Sequence, residues 1–283
     1  MKKAHSLIRA HRIGSSDAAK ILGLSKWGNA HDVYLRLTDR LEVEDVETPA
    51  MLLGKMMEAP LVKKCAKELK VKIKADQLCS LGNLCAQIDA MAVGFPIGIE
   101  AKTASDMDEW GADGTADIPA YYAAQTLHQA AVAGLDMVAV PAFFVGLNRA
   151  YRSYRLPYST DDRVEYLAYM EKWYEKHIKG DTPPECAPSL AAAKLIKRVP
   201  GKVIVATQEQ VALWNRWRKV KTLAEKLADE KDSAQARVYA AMGDAEVLEH
   251  EGRKLTAKWQ DVKGYTVEVK AKRFQTLREG KVK

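Results

Sequence analysis

Asp89 is followed eleven residues later by Glu100-Ala101-Lys102. Around the first acid the chain reads Cys85-Ala-Gln-Ile-Asp89-Ala-Met-Ala-Val-Gly94, and it continues Phe95-Pro-Ile-Gly-Ile-Glu100-Ala-Lys102. Both runs are short and apolar, and Gly94, Pro96 and Gly98 break between them. That pattern predicts two adjacent strands joined by a tight connection. An acid on each strand then faces the other at sheet spacing, and Glu100 and Lys102, two apart, project on one face. Two hard carboxylates beside one ammonium suit Mg²⁺-assisted phosphodiester hydrolysis. The acids hold the ion, the ion polarises the phosphate, and the lysine orients water or helps to deprotonate it. An acid followed by Glu-x-Lys is by itself usually a solvated pair. Here the glutamate ends an apolar strand, where a carboxylate is costly unless paired, and a metal is an efficient partner.

Three further positions add to this set. Gly54-x-x-x-Glu58 puts a carboxylate on the inward face of a helix expected over about 48–69. Tyr122-x-x-Gln125 lies on the helix after the acid strands, where it could orient a water or a phosphate. Arg9 and the helix start at Ser15-Ser16 could form an anion pocket, because a helix N-terminus presents free N–H groups.

The elements that must position these residues follow from capping, periodicity and breaks. Gly14-Ser-Ser-Asp17 starts a short helix that Gly23 closes, and 31–37 is helical again. In the helix over 48–69, Met51, Leu52, Met56, Leu61, Val62, Cys65 and Leu69 form an apolar stripe that Glu58 interrupts. Strands are expected at 71–73 and 78–88, leading into the acid pair. A polar Asp- and Gly-rich stretch with Trp110 spans 103–118. A helix then runs from Pro119 to Gly134, followed by strands at 137–145 and 151–156. An amphipathic helix over 161–178 ends at Gly180 and Pro183-Pro184. The composition then changes. A charged helix over about 207–242, read either as a hairpin or as one rod, precedes short strands at 245–248, 254–259 and 265–269. The expected division is a nuclease-type core over 1–185 and an accessory region over 186–283.

Composition narrows the classes. With 283 residues, 47% of them hydrophobic, the chain can bury a substantial core. No apolar run reaches membrane-spanning length and the first residues lack a signal-peptide core, so a cytoplasmic protein with no membrane partner is expected. A net charge of +7 and a pI near 9.0 lean toward a polyanionic partner. Cys65, Cys79, Cys85 and Cys186 form no C-x-x-C pair, which argues against zinc or iron–sulfur ligation and for reduced thiols. His11 and His128 are read as surface or core residues, and Trp214 and Trp217, at helical spacing, as packing. The basic end, from Lys263 to Lys283, could grip duplex backbone or be solvated.

Gly14-Ser-Ser-Asp-Ala-Ala, Gly-x-x-x-Glu58, Ile88-Asp89, Glu100-x-Lys102, Trp110, Ile118-Pro119 and Tyr122-x-x-Gln125 occur in this order over roughly residues 6–185. This set resembles the YqaJ-type viral recombinase family, to which phage lambda exonuclease is similar, within the restriction-endonuclease-like and RecB-type nuclease superfamily. The resemblance implies an α/β fold: a restriction-endonuclease-like mixed central sheet flanked by helices, with a C-terminal helical and short-strand appendage. It implies a phage or prophage exonuclease that needs Mg²⁺, with Mn²⁺ as substitute and two ions. Such an enzyme degrades one strand of linear duplex DNA, 5′ to 3′, and leaves 3′ overhangs for a single-strand annealing protein. Asp89, Glu100 and the backbone carbonyl of Ala101 would ligate metal, and Lys102 would position or activate water. Glu58 would meet a second metal or its water, and Gln125 would steady the site. Arg9 and Ser16, with Ser15 and Tyr122 beside them, would hold the 5′ phosphate or the DNA. A ring-shaped homo-oligomer, trimer or tetramer, is implied. Two departures stand out: Leu127 occupies a position where the lambda enzyme has a second glutamine, with Gln129 further along, and an arginine that grips the 5′ phosphate falls near Asp108. An endonuclease of the same superfamily and a non-catalytic DNA-binding or assembly protein are the rival readings.

Overall fold

The computed structural model describes residues 11–42, 48–146, 149–251 and 253–256. In chain order the first compact unit, which ends at Arg198, holds β1 (Ile13–Gly14), α1 (Ser15–Ile21), α2 (Ala30–Leu37), α3 (Pro49–Leu69), β2 (Ile73–Leu81), β3 (Leu84–Ala92), β4 (Ile97–Ile99) and β5 (Lys102–Ala104). It continues with α4 (Ala120–Ala133), β6 (Met137–Phe144), β7 (Ala150–Pro157), α5 (Thr160–Tyr174), which widens into a π-turn at Glu175–Lys179, and α6 (Leu190–Leu195). The expected strand at 78–88 is instead two strands, because Gly82 and Asn83 turn the chain back into a β2–β3 hairpin.

The sheet has seven strands of mixed direction, flanked by helices, which is the architecture expected from sequence. β2 lies antiparallel along one edge of β3. The other edge of β3 is shared. β1 pairs with it in parallel at Leu84 and Cys85, and β4 pairs antiparallel at Ala90 and Met91. Residues 86–89 of that edge fall between the two partners. β4 and β5 both run parallel to β6, at Ile97–Ile99 against Met137–Ala139 and at Lys102–Ala104 against Ala142–Phe144. They behave as one strand interrupted at Glu100-Ala101. β7 closes the far side of β6.

Gly98 faces Ile88, Leu135 and Val138, whereas its neighbour Ile99 packs with Ala90 and Ala139 beneath α3. Ile88 and Ala90 therefore lie on opposite faces although they are two residues apart, so β3 turns over at Asp89. The left-handed Asp76 (φ 50°) in β2 sits beside the same break. Such local irregularities re-aim a side chain.

Helix ends follow local chemistry. Thr48 caps α3 by accepting from Met51 N, with Pro49 in the first turn. Asn29 caps α2 by accepting from His31 N and Asp32 N. Gly134, at φ 67°, ends α4 in the left-handed conformation that costs glycine least. The apolar stripe read along α3 is corrected in its first half: Met51, Leu52 and Met56 are 51%, 49% and 67% exposed. The inner face instead runs Gly54, Glu58, Leu61, Val62, Cys65 and Ala66. Gly54 faces Thr103, and only the last four residues are buried against the sheet. Glu58 thus lies on the inner face, as expected, although that face is not the stripe that Met51, Leu52 and Met56 suggest.

The main core gathers Ile13, Val33, Leu37, Ile88, Val138, Val140, Phe144, Tyr154 and Met170 between the sheet, α1, α2, α4 and α5. Trp110 joins it, packed on Tyr122, Phe144 and Tyr154. The cysteines are free: Cys65 and Cys85 are buried, Cys79 is partly buried and Cys186 is exposed.

A second unit begins at Val199. It contains α7 (Gln208–Met242), a single 35-residue helix capped by Thr207, and a hairpin of β8 (Val247–His250) and β9 (Arg253–Thr256). The rod alternative for 207–242 is therefore the observed one. Trp214 and Trp217, expected to pack, are 51% and 36% exposed. The expected strand at 265–269 and the basic end lie outside the described residues. Among the described residues no helix is long and apolar enough to cross a membrane.

Candidate active site

The interruption between β4 and β5 creates the site. Past Ile99 the β3–β4 ladder stops, and Ala101 donates its N–H to Asp89 Oδ2 at 2.8 Å instead of to a strand carbonyl. Glu100 N still donates to Ala139 O, so the glutamate backbone remains tied to β6 while its side chain turns inward. Asp89, Glu100 and Lys102 converge here, as the spacing predicts. Lys102 Nζ donates to Glu100 Oε1 at 2.6 Å, with both side chains largely buried.

The carboxylate of Glu100 is held from α4 as well. Gln125 Nε2 donates to Oε1 at 2.6 Å, and Gln129 Nε2 donates to Oε2 at 2.7 Å. Gln129 also donates to Gln87 O at 2.9 Å, and one helical step earlier His128 Nε2 approaches Cys85 O at 3.0 Å. Cys85 and Gln87 belong to the stretch of β3 edge beside and beyond β1. Two buried polar residues of α4 thus satisfy carbonyls that a neighbouring strand would otherwise bond, as buried backbone groups require. Because His128 Nε2 must donate to a carbonyl, its Nδ1 accepts from Tyr166 OH, 2.8 Å away. Burial holds His128 well below the usual histidine range, at about 4, so it is neutral and structural, in agreement with its reading as a core residue.

Between β1 and β4 lies a cavity of about 180 Å³ lined by Gly14, Ser15, Ser16, Cys85, Gln87, Asp89, Glu100 and Gln125. Ser15 and Ser16 reach it from the first turn of α1. Ser16 is exposed, while the buried Ser15 Oγ has no hydrogen-bond partner among the described residues. Asp17 takes no part: its Oδ2 accepts from Gly14 N at 2.8 Å and from Arg36 at 2.6 Å, fixing the turn that brings the two serines to the cavity. Arg9 lies outside the described residues.

The electrostatics are those of concentrated negative charge. Burial, then the charges of Glu100 and Glu58, push Asp89 up to about 8, against the opposing pull of Lys102 and the Ala101 N–H. Glu58 is raised too, by burial and then by Glu100 and Asp76. It therefore stands within the field of the site, although among the described residues no side-chain hydrogen bond ties it in. Burial alone would lower Lys102, but the charge and hydrogen bond of Glu100 outweigh it and its pKa is raised. The ammonium also sits 5.1 Å from the centre of the Tyr122 ring. Among the described residues no three His, Cys, Asp or Glu side chains close on a single point. Asp89 and Glu100 are the adjoining pair, and Glu58 is a nearby third.

Gln129, noted in the sequence only as lying beyond Leu127, holds Glu100, and Asp76, which has no part in the expected site, adds to the negative field. A signal for Gln129 exists: it is four residues from Gln125, on the same helical face. Asp76 had none, because its place depends on the β2–β3 register.

Residues 5–136 match the model of the YqaJ-like viral recombinase domain, so the resemblance drawn from the ordered motifs is borne out. A curated relative, the uncharacterized protein YqaJ of Bacillus subtilis (strain 168), is 28% identical over 198 residues, 67% of this chain. The chain spans 61% of that relative's length. Among solved structures, an alkaline exonuclease (LHK-Exo) from Laribacter hongkongensis is similar at a TM-score of 0.46 and 15% identity, covering 63% of this chain and 97% of that one. A phage related exonuclease from Haemophilus somnus 129PT is similar at a TM-score of 0.44 and 10% identity, covering 63% and 100%.

Proposed function

We propose that this chain, whose residues 5–136 carry a YqaJ-like viral recombinase domain, is a metal-dependent exonuclease. It would degrade one strand of linear duplex DNA, 5′ to 3′, and leave 3′ overhangs for annealing recombination. The observation that supports this reading is Asp89, Glu100 and Lys102 gathered at the break between β4 and β5, beside a polar cavity. Two adjoining carboxylates, one of them buried enough to resist ionising, form a donor set that gains from a divalent cation. Mg²⁺ commonly takes one or two carboxylates and keeps waters for the rest. The residues present fit that ion, with Mn²⁺ as a substitute. Asp89, Glu100 and the Ala101 carbonyl would hold it, and Glu58 would serve a second ion or its water. Bound there, the metal supplies Lewis-acid stabilisation of charge developing on the phosphate.

The chain's own groups have separable tasks. Gln125 and Gln129 hold both oxygens of Glu100, so its orientation is set before substrate arrives. Lys102, cationic at neutral pH, orients water and offsets negative charge on the scissile phosphate; its raised pKa does not suit it to accept a proton. Tyr122 covers the lysine from the α4 side. Ser15 and Ser16, with Arg9, would take the 5′ phosphate. Digestion of duplex ends in the cytoplasm of a phage host, a ring-shaped trimer or tetramer, and a single-strand annealing partner belong to the same proposal.

The test is digestion of linear duplex labelled at one end, with and without a 5′ phosphate, beside closed circular duplex, in Mg²⁺ and in EDTA. Loss of 5′ label from linear DNA alone, abolished by EDTA, is expected. Nicking of circles would replace the reading with an endonuclease. No hydrolysis in Mg²⁺ or Mn²⁺ would replace it with a binding module.

A further inference from the structure

A line of aromatic rings leads from the site to solvent. Lys102 Nζ lies 5.1 Å from the Tyr122 ring centre, Tyr122 lies 4.5 Å from Tyr121, and Tyr121 lies 5.0 Å from Trp27 at an interplanar angle of 85°. Trp27 ends the line with 66% of its surface exposed. A second cation stands beside it: Lys26 Nζ is 5.2 Å from the Tyr121 ring centre and 2.7 Å from Glu109 Oε1. Exposing an indole this far forgoes the hydrophobic gain that usually places tryptophan inside.

The loop backbone around Trp27 is anchored. Trp27 N donates to Ser25 Oγ at 3.1 Å. Gly28 follows at φ 145°, and a Cβ there would lie 2.5 Å from Asp32 Oδ2. Asp32 itself bonds Asn29 N and Ser189 N. The backbone on both sides of Trp27 is thus tied, and its ring, packed edge-on against Tyr121, is presented outward.

Aromatic rings interleaved with cations, in single file, suit single-stranded nucleic acid, whose bases offer π-faces and whose phosphates offer charge. We propose that Trp27, with Tyr121 and Lys26, is a stacking platform for unpaired bases of the DNA end and guides the strand toward Lys102. The inference rests on the DNA-handling reading above and names a subsite within it.

The experiment measures equilibrium binding in Ca²⁺ of duplexes labelled at the far end and carrying a short unpaired 5′ segment. One probe has normal bases in that segment and the other has abasic sites. Trp27→Ala should weaken binding of the base-containing probe about tenfold, the scale of one lost base–aromatic stack. It should leave the abasic probe within about twofold, and Trp27→Phe should restore most of the loss. Equal losses on both probes, no loss on either, or wild-type protein that does not distinguish the probes would each overturn the proposal. Cleavage is scored separately with wild-type protein. A protein that stacks bases but cuts nothing keeps the platform and loses the nuclease reading, and the reverse result does the opposite.

Discussion

Burial and the neighbouring charges of Glu100 and Glu58 place the ionisation of Asp89 at about 8 rather than at its ordinary 3.8. A divalent cation binds the ionised carboxylate, so uptake at lower pH must first remove a proton. With that pKa about a tenth of the protein has Asp89 ionised at pH 7 and about a hundredth at pH 6. Apparent affinity for Mg²⁺ or Mn²⁺ should therefore fall about tenfold per pH unit below 8, near 1.4 kcal/mol each, and level off above about pH 9. Isothermal titration in two buffers of unlike ionisation enthalpy measures both quantities. Close to one proton should leave per Asp89 site at pH 6.5, and almost none at pH 9.5. Asp89→Asn should bind far more weakly and release no proton. An affinity that varies less than threefold between pH 6 and 9, or uptake at pH 6.5 without proton release, would refute the electrostatic reasoning.

Lys102→Met should slow hydrolysis by about a hundredfold or more, measured on end-labelled duplex, while circular dichroism stays native, because Gln125 and Gln129 still hold Glu100. Gln129→Leu takes away the donor that holds one oxygen of the buried Glu100 carboxylate, and should cost about 2 kcal/mol, seen as a melting point lower by about 5 °C. His128 titrates near 4 in the fold against about 6.5 unfolded, so the unfolded chain binds its proton first as pH drops. The contribution of His128 is complete above pH 6.5 and falls by about 3 kcal/mol toward pH 4, while Asp89, raised to about 8, contributes in the opposite sense over that range. Denaturant melts of wild type and His128→Gln should show that loss only in wild type; parallel losses would remove His128 as its source.

Much of the fold follows from local chemistry. Thr48 and Asn29 cap helices, Gly134 ends one, and the breaks around residues 94–98 separate the acid strands, all through neighbours in the chain. The expected single strand over 78–88 runs across Gly82-Asn83, a pair that is itself a two-residue hairpin signal, and the register of β2 on β3 places the turn there. The stripe on α3 misled in another way. Periodicity records which residues share a face, and not whether anything covers that face, so Met51, Leu52 and Met56 counted as core while they meet solvent. Trp214 and Trp217 repeat the lesson in the second unit.

By itself the sequence determined the chemistry on offer at the site: two acids, a lysine two residues past the second, and a glutamine on the following helix, at separations that strand and helix geometry convert into proximity. The tertiary structure alone decided what that chemistry becomes. Gln129 and His128 act on carbonyls more than forty residues away in β3, and Asp89 owes its altered acidity first to burial and then to Glu100 and Glu58 on other elements. Burial and field strength depend on every group within reach, and such groups are brought together by folding, at distances along the chain that no local pattern records.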